Sequence, residues 1–261
     1  MPDLVIVKLG GSVLTNKNKF ASLNRKVLSR LAGELAKSRQ KLVIVHGAGS
    51  FCHMLAKKHG LKNGFFNERQ KLGFSETHLY AKELNQLVCR ELIAKKIPAV
   101  GLPALSLARQ ENSRVSRFNV ELVREALHEG LVPVLFGDVT LDSVTHGSIC
   151  SGDKAISFLS KVLEPKRIVL GVDVDGVFTS DPKTHKNAKL IPKVDSDNLG
   201  QAISSLEEAK THDVTGGMKG KIMELYQESR KCPVIVVNAL KPGRLLKAIE
   251  GQEVKGTIFR L

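Results

Sequence analysis

At 261 residues and 42% hydrophobic content, the chain is long enough for one large domain, or two intimately joined lobes, around a sizeable core. Its 40 Lys and Arg against 26 Asp and Glu give a net charge of +14, yet the basic residues are dispersed. Two Tyr and no Trp leave no interleaved basic and aromatic run for stacking on bases, so the charge reads as a solvated surface that attracts anionic metabolites, with no nucleic-acid partner expected.

No apolar run approaches the roughly 18 residues of a membrane span, and Met-Pro-Asp passes directly into a strand with no basic n-region or cleavage site. Cys52, Cys89, Cys150 and Cys232 are scattered, with no C-x-x-C pair and no His spacing suited to zinc. These features lead us to expect a cytoplasmic chain with reduced thiols, no membrane partner and no protein-ligated metal.

The first apolar run, Leu4 to Val7, ends in Lys8-Leu9-Gly10-Gly11-Ser12. A helix from Leu23 to Lys37 follows, with Val27, Leu28, Leu31 and Leu35 on one stripe. The run Leu42 to Val45 leads into His46-Gly47-Ala48-Gly49-Ser50 and on to Cys52 and His53. A second helix, Ser75 to Lys96, sets Leu79, Leu84, Leu87, Val88 and Leu92 on its apolar side, before a run at Ala99 to Leu102. Asn119 caps a helix carrying Val120, Val123 and Leu127, and the run Val132 to Phe136 comes next. Asp153 is placed to cap a helix carrying Ile156, Leu159 and Val162, which Glu164-Pro165 breaks before a run at Ile168 to Val172. A third glycine cluster, Thr215 to Lys221, opens a helix including Ile222 and Leu225; the run Val234 to Val237 and a strand-like G-T-I-F-R-L complete the chain.

Runs rich in Val, Ile and Leu that do not alternate with polar residues suit strands covered on both faces. Alternating strand and helix predicts a three-layer α/β (αβα) sandwich with a mainly parallel central sheet and ligand loops at the carboxyl ends of its strands. A seam near Leu163 to Arg167 would divide an N-lobe of about residues 1–163, for an acceptor substrate, from a C-lobe of about residues 164–261, for a nucleotide.

The stretch Val43 to His53 carries the clearest chemistry. A strand that collapses into small residues lets the backbone approach phosphate oxygens, and the helix start adds free N–H groups and the positive end of a dipole. Such a turn also occurs with no ligand, but two more glycine turns accompany it, together with Lys8, Lys17, Lys219 and Lys221. Neither G-x-x-x-x-G-K-[ST] nor G-x-G-x-x-G is present. Phosphoryl transfer requires in-line positioning and fixed positive charge more than covalent chemistry, and converging lysines supply that charge. Lone helical histidines are usually packing or surface residues, but an imidazole beside a phosphate monoester forms a charge-assisted hydrogen bond near neutrality, which makes His53 a donor to an acceptor phosphate.

Four blocks now stand in order over nearly the whole chain: K-L-G-G-S at 8–12, H-G-A-G-S at 46–50, G-V-D-V-D-G-V-F-T-S-D-P at 171–182 and T-G-G-M-K-G-K at 215–221. Together they resemble the amino acid kinase superfamily, which includes acetylglutamate, uridylate, aspartate and glutamate 5-kinases. The His that ends G-S-F-x-H, with the N-terminal K-L-G-G-S-V-x-T-x-K, resembles the isopentenyl phosphate kinase family. That family usually has Gly where this chain has Cys52, a side chain that would either narrow the phosphate pocket or point away. Fosfomycin kinases share this branch, the histidine included.

The resemblance implies roles for particular residues. Lys8, Gly10, Gly11 and Ser12 would hold the terminal phosphates of ATP, and Lys17 would stabilise transition-state charge. The backbone at Ala48 and Gly49, with His53, would bind the acceptor phosphate, with Gly152 touching it from the opposite side. Asp153 would orient the lysines, and Gly49, Asp173, Gly217 and Lys221 would contact ATP, making Lys8, Lys17, His53, Asp153 and Lys221 the catalytic set. Mg²⁺ would accompany ATP, held by phosphates and water. The implied reaction converts isopentenyl phosphate to isopentenyl diphosphate, with ADP as second product, in an alternative mevalonate route, and the implied assembly is a homodimer built through N-lobe helices. The alternatives are a kinase for fosfomycin or another small phosphonate or phosphate, and a non-catalytic binding protein using its basic surface.

Overall fold

Every one of the six apolar runs forms a strand, and all six lie side by side in one sheet. The computed structural model describes residues 2–180, 182, 185–200 and 232–260. In chain order, β1 (Leu4–Leu9) precedes α1 (Gly11–Leu14) and α2 (Arg25–Leu35), β2 (Lys41–His46) precedes α3 (Gly49–Lys58) and the long α4 (Glu68–Ala94), and β3 (Ala99–Pro103) precedes α5 (Ala104–Leu107). Next come β4 (Ala108–Glu111), β5 (Arg114–Phe118), α6 (Glu121–His128), β6 (Val132–Phe136), β7 (Asp138–Asp142), β8 (His146–Cys150) and α7 (Gly152–Leu163). The C-terminal part contributes β9 (Arg167–Val172), β10 (Val177–Phe178), β11 (Leu190–Ile191), β12 (Lys193–Val194), β13 (Val234–Asn238), α8 (Arg244–Ile249) and β14 (Gly256–Phe259). The block at 215–221, with the helix expected after it, lies outside the described residues.

The main sheet has eight strands in the order β12-β14-β13-β9-β1-β2-β6-β3. From β13 to β3 every neighbouring pair is parallel, while β14 runs antiparallel to β13. Successive side chains of a strand point to opposite faces, and this divides the core in two. Val5, Val7 and Leu9 of β1, with Leu42 and Ile44 of β2, pack with Leu28 and Leu31 of α2, Leu84, Val88 and Leu92 of α4, and Leu245 and Ile249 of α8. Ile6, Val43 and Val45 face the other way, towards Val123 of α6 and Ile156 and Leu159 of α7. The result is the expected three-layer sandwich.

Side-chain caps fix several helix starts. Asn24 Oδ1 accepts from Val27 N, Asn67 Oδ1 from Gln70 N at 2.9 Å, and Ser151 Oγ from Lys154 N at 3.2 Å. The Asn67 cap lets α4 begin seven residues before the Ser75 expected from the apolar stripe. Leu79 does not belong to that stripe; it is 62% exposed, one heptad from the equally solvent-facing Leu72. Asn119 performs its expected task in part, accepting from Leu122 N at 3.4 Å, although Val120 occupies the cap position of α6. Ser151, not Asp153, caps α7.

Two hairpins, β4-β5 and β7-β8, form a second, four-stranded sheet, β5-β4-β7-β8, beside the main one. Asp142 ties them together by accepting from the backbone N–H groups of Asn112, Ser113, Val144 and Thr145 at 2.7 to 3.1 Å. At the expected seam, Glu164 ends α7 in the left-handed region before Pro165, but the main sheet passes through without interruption because β1 pairs directly with β9. With β2 on one flank of β1 and β9 on the other, the strand order reverses at β1, and ligands of open α/β sheets bind in the crevice beyond the carboxyl ends at such a point.

Candidate active site

The alternation that buries Ile6 towards α7 sends Lys8 to the same face. Lys8 is buried, and its ammonium group is hydrogen-bonded to the carboxylate of Asp153 in the first turn of α7, where the positive end of the helix dipole favours a negative charge. Because Ser151 occupies the cap, the Asp153 carboxylate is released to turn inward. Gly152 makes room for the pair: a Cβ at that position would lie 3.1 Å from Val45 Cγ1 and 3.8 Å from Lys8 Cε.

The glycine turns after β1 and β2 touch each other. A Cβ on Gly11 would lie 2.7 Å from Gly49 N, and one on Gly47 would lie 2.6 Å from Gly11 N, so only hydrogen fits at the contact. Gly49 also has φ +51°, which favours glycine, and a Cβ there would strike Thr15 Oγ1. Thr15 staples the turns by donating from its hydroxyl to Gly11 O at 2.7 Å and accepting from Ser50 N at 3.0 Å. From β9, Gly171 O accepts from Gly10 N at 2.9 Å, and Asp173 Oδ1 accepts from Ser12 Oγ at 3.0 Å. From β6, Gly137 N donates to His46 O, and its α-carbon faces both other segments: a Cβ there would be 3.5 Å from Gly152 N and 3.6 Å from Ala48 N. Lys8, Gly10, Gly11, Ser12, Ala48, Gly49, Gly152, Asp153 and Asp173 thus meet in one crevice lined by N–H groups and one fixed ammonium.

Of the remaining expected residues, two are exposed and two lie outside the described residues. His53 is the fifth residue of α3, with an exposed side chain, and Lys17 occupies an exposed turn after α1. Gly217 and Lys221 lie outside the described residues. Cys52 turns into the core: it is buried and its thiol donates to Thr77 O at 3.6 Å. Burial, aided by the negative charge of Asp138, pushes that thiol above its ordinary range.

Several important residues escaped the sequence reading. His46 belongs to the glycine motif but is structural. Burial lowers its pKa to about 4 despite a hydrogen bond to Gly47 O, its Nε2 accepts from Asn85 Nδ2 at 3.1 Å, and its ring stacks on Phe136. Asp175, in what reads as an ordinary Asp-Gly turn, joins Arg244 at 2.7 Å, Lys255 at 2.9 Å and Asn238 Nδ2 at 2.9 Å. Burial alone would raise its pKa, but these donors outweigh that and hold it at about 2. The His78–Asp138 pair, from α4 and β7, has no sequence signal, since the two are 60 residues apart.

Comparison with known proteins extends this geometry. The amino acid kinase family model matches residues 3–238. The chain is 41% identical to the isopentenyl phosphate kinase of Methanothermobacter thermautotrophicus, over 97% of this chain and 98% of that one, and 33% identical to that of Methanocaldococcus jannaschii, over 97% of each. An X-ray structure of isopentenyl phosphate kinase superposes with a TM-score of 0.86 at 37% identity, covering 98% of this chain and 99% of the other. A product complex of the T. acidophilum isopentenyl phosphate kinase superposes at 0.78 with 27% identity, covering 98% and 100%. Likeness of this extent in both sequence and fold means that the chain belongs to the amino acid kinase family and, within it, to the isopentenyl phosphate kinases.

Proposed function

We propose that the chain transfers the γ-phosphoryl group of ATP to isopentenyl phosphate, giving isopentenyl diphosphate and ADP. The observation that carries this reading is the contact between the two glycine turns beside the buried Lys8–Asp153 pair, an arrangement suited to two phosphates next to a fixed positive charge. The acceptor is already an anion and needs no general base. One of its phosphate oxygens attacks the γ-phosphorus in line, the bond to the β–γ bridging oxygen breaks, and that oxygen leaves on ADP.

In this scheme the N–H groups of Ala48, Gly49 and Gly152, with His53, hold the acceptor phosphate. Gly10, Gly11 and Ser12 hold the terminal phosphates of ATP, and Lys8, kept in place by Asp153, neutralises the charge that develops on the transferring group. Lys17 reaches in from its turn to share that charge, while Asp173, Gly217 and Lys221 serve the nucleotide. The donors of the crevice suit phosphate oxygens, and the carboxylates of Asp153 and Asp173 are engaged by Lys8 and Ser12. Mg²⁺ would therefore be held by the phosphates and water, where it supplies charge neutralisation. For the prenyl tail we propose the apolar cluster in which Val139, next to Asp138, packs with Ala56, Leu61, Phe65, Phe74 and Ile149.

A homodimer formed across the outer face of α4 would cover Leu72 and Leu79, which are 69% and 62% exposed; sedimentation reads the mass directly. Among the described residues no helix is long and apolar enough to cross a membrane, and a cytoplasmic location accords with this.

The deciding experiment compares ADP release from Mg-ATP with isopentenyl phosphate, dimethylallyl phosphate, fosfomycin, acetylglutamate and UMP. Strong preference for the prenyl phosphates is expected. Turnover of fosfomycin alone would keep the chemistry and replace the substrate, and silence with all five would remove the catalytic reading.

A further inference from the structure

We infer that His78, held by Asp138, is a second imidazole of the acceptor-phosphate site, a role that rests on the acceptor site assigned above. Asp138 opens β7 immediately after Gly137, whose α-carbon faces Ala48 N and Gly152 N, two of the three peptide groups given to the acceptor phosphate. Its side chain is fully buried, accepts from Val139 N at 2.8 Å, and has both oxygens 3.0 Å from His78 Nδ1. A carboxylate only accepts, so Nδ1 carries the proton and the ring orientation is fixed. His78 Nε2, on a side chain that is 22% exposed, has no partner among the described residues.

The helices carrying the two histidines touch at the neighbouring residues. Cys52 of α3 donates to the carbonyl of Thr77 of α4 at 3.6 Å, and His53 and His78 are the next residue of each. On α4, Phe74 of the apolar cluster around Val139 lies one turn before His78, on the same side of the helix.

The chemistry explains why a histidine belongs there. An unneutralised carboxylate buried next to an anion site would repel the substrate. In the proposed complex His78 is an imidazolium: its positive charge offsets that of the carboxylate, and the Asp138 bond to Nδ1 fixes the ring as a carboxylate partner does for catalytic histidines. Its Nε2 then donates to an acceptor phosphate oxygen that takes no part in the attack. His78 binds the acceptor, and Asp138 positions His78.

Two variants separate binding from scaffolding. His78→Asn puts an amide nitrogen near the place of Nδ1, so it keeps the Asp138 bond without reaching the acceptor; His78→Gln puts one near the place of Nε2. For His78→Asn, the KM for isopentenyl phosphate should rise about 10- to 100-fold, the range for a lost hydrogen bond to a charged group, with kcat, the KM for ATP and the melting temperature nearly unchanged. His78→Gln should recover most of the loss. Equal acceptor KM in wild type and His78→Asn, or a parallel rise in the KM for ATP, would overturn the assignment. Calorimetric titration of wild type with isopentenyl phosphate distinguishes the two levels of failure. If wild type neither binds nor phosphorylates it, the proposed function falls and this role with it; if wild type does both and His78→Asn matches it, only the role of His78 is lost.

Discussion

Lys8 and Asp153 are the most telling pair at the residue scale because stability alone does not explain them. Two charges withdrawn from water gain little over apolar residues of the same size, and neither side chain is more than about a tenth exposed. In the proposed mechanism, what the pair gains is a stationary ammonium beside the two touching glycine turns. Asp142 and Asp175 play the opposite part, as carboxylates that hold the fold. Burial would raise both pKa values, but backbone N–H groups at Asp142 hold it well below the usual carboxylate range, and Lys255, Asn238 and Arg244 hold Asp175 at about 2 against an ordinary 3.8. A depressed folded-state pKa contributes stability that is fully present above the unfolded value and is lost as pH falls through the folded one. Neutral His46, whose folded pKa of about 4 lies below the ordinary 6.5, adds a loss of stability as pH falls between those two values. The melting temperature should therefore begin to decline below about pH 6.5 through His46, and the two carboxylates should add a further decline between about pH 4 and pH 2. Asp175→Asn should melt lower at neutral pH, by at most about 2 kcal/mol of stability, and show a shallower decline in acid. An Asp175→Asn curve parallel to wild type through that window would mean that Asp175 does not carry the acid sensitivity.

At the scale of elements, the proposed function requires the turns after β1 and β2 to keep the contact that only hydrogen side chains allow. Gly49→Ala introduces a methyl group at φ +51° against Thr15 and the Gly11 carbonyl, which must push the turns apart. Misplacement of about 1 Å is worth on the order of a hundredfold in rate, so kcat/KM should fall at least that far in a protein that still folds. Gly33→Ala in α2 is the control: nothing lies within 4 Å of the new Cβ. That change should leave activity intact and raise stability by about 0.5 to 1 kcal/mol, measured by urea unfolding. Wild-type turnover in Gly49→Ala would show that the contact is not what positions the phosphates.

The elements legible in the sequence were those whose signal is local. The six central strands announce themselves as apolar runs because both their faces are covered, and the glycine turns because a close approach of backbones leaves no other residue. Strands β4, β5, β7 and β8 were not legible, since half-solvated strands such as Ala-Arg-Gln-Glu in β4 alternate buried and exposed positions and make no run. Leu79 was assigned to the apolar stripe of α4 because sequence spacing does not say which face the core takes. At the site, Lys8, Asp153 and the glycines could be named, but Asp175 and the His78–Asp138 pair arise from segments that only folding brings together.

The whole molecule adds a long-range field to these local devices. A net charge of +14 surrounds a crevice whose proposed substrates, ATP and a phosphate monoester, are both anions, and a field of that sign raises their rate of encounter. Encounter and chemistry respond differently to salt. Raising ionic strength from about 0.01 M to about 0.15 M shortens the screening length from about 30 Å to about 8 Å, which suppresses steering by distant lysines but scarcely reaches a buried pair such as Lys8–Asp153. The expected outcome is that kcat/KM for the acceptor falls about tenfold over that range while kcat at saturation stays constant. Single-stranded RNA, added at the lower salt, should compete only as a diffuse polyanion, its inhibition vanishing by about 0.15 M. A kcat that falls in step with kcat/KM would place the salt-sensitive charge inside the chemical step, and inhibition by RNA that persists at the higher salt would give the basic surface a nucleic-acid partner of its own.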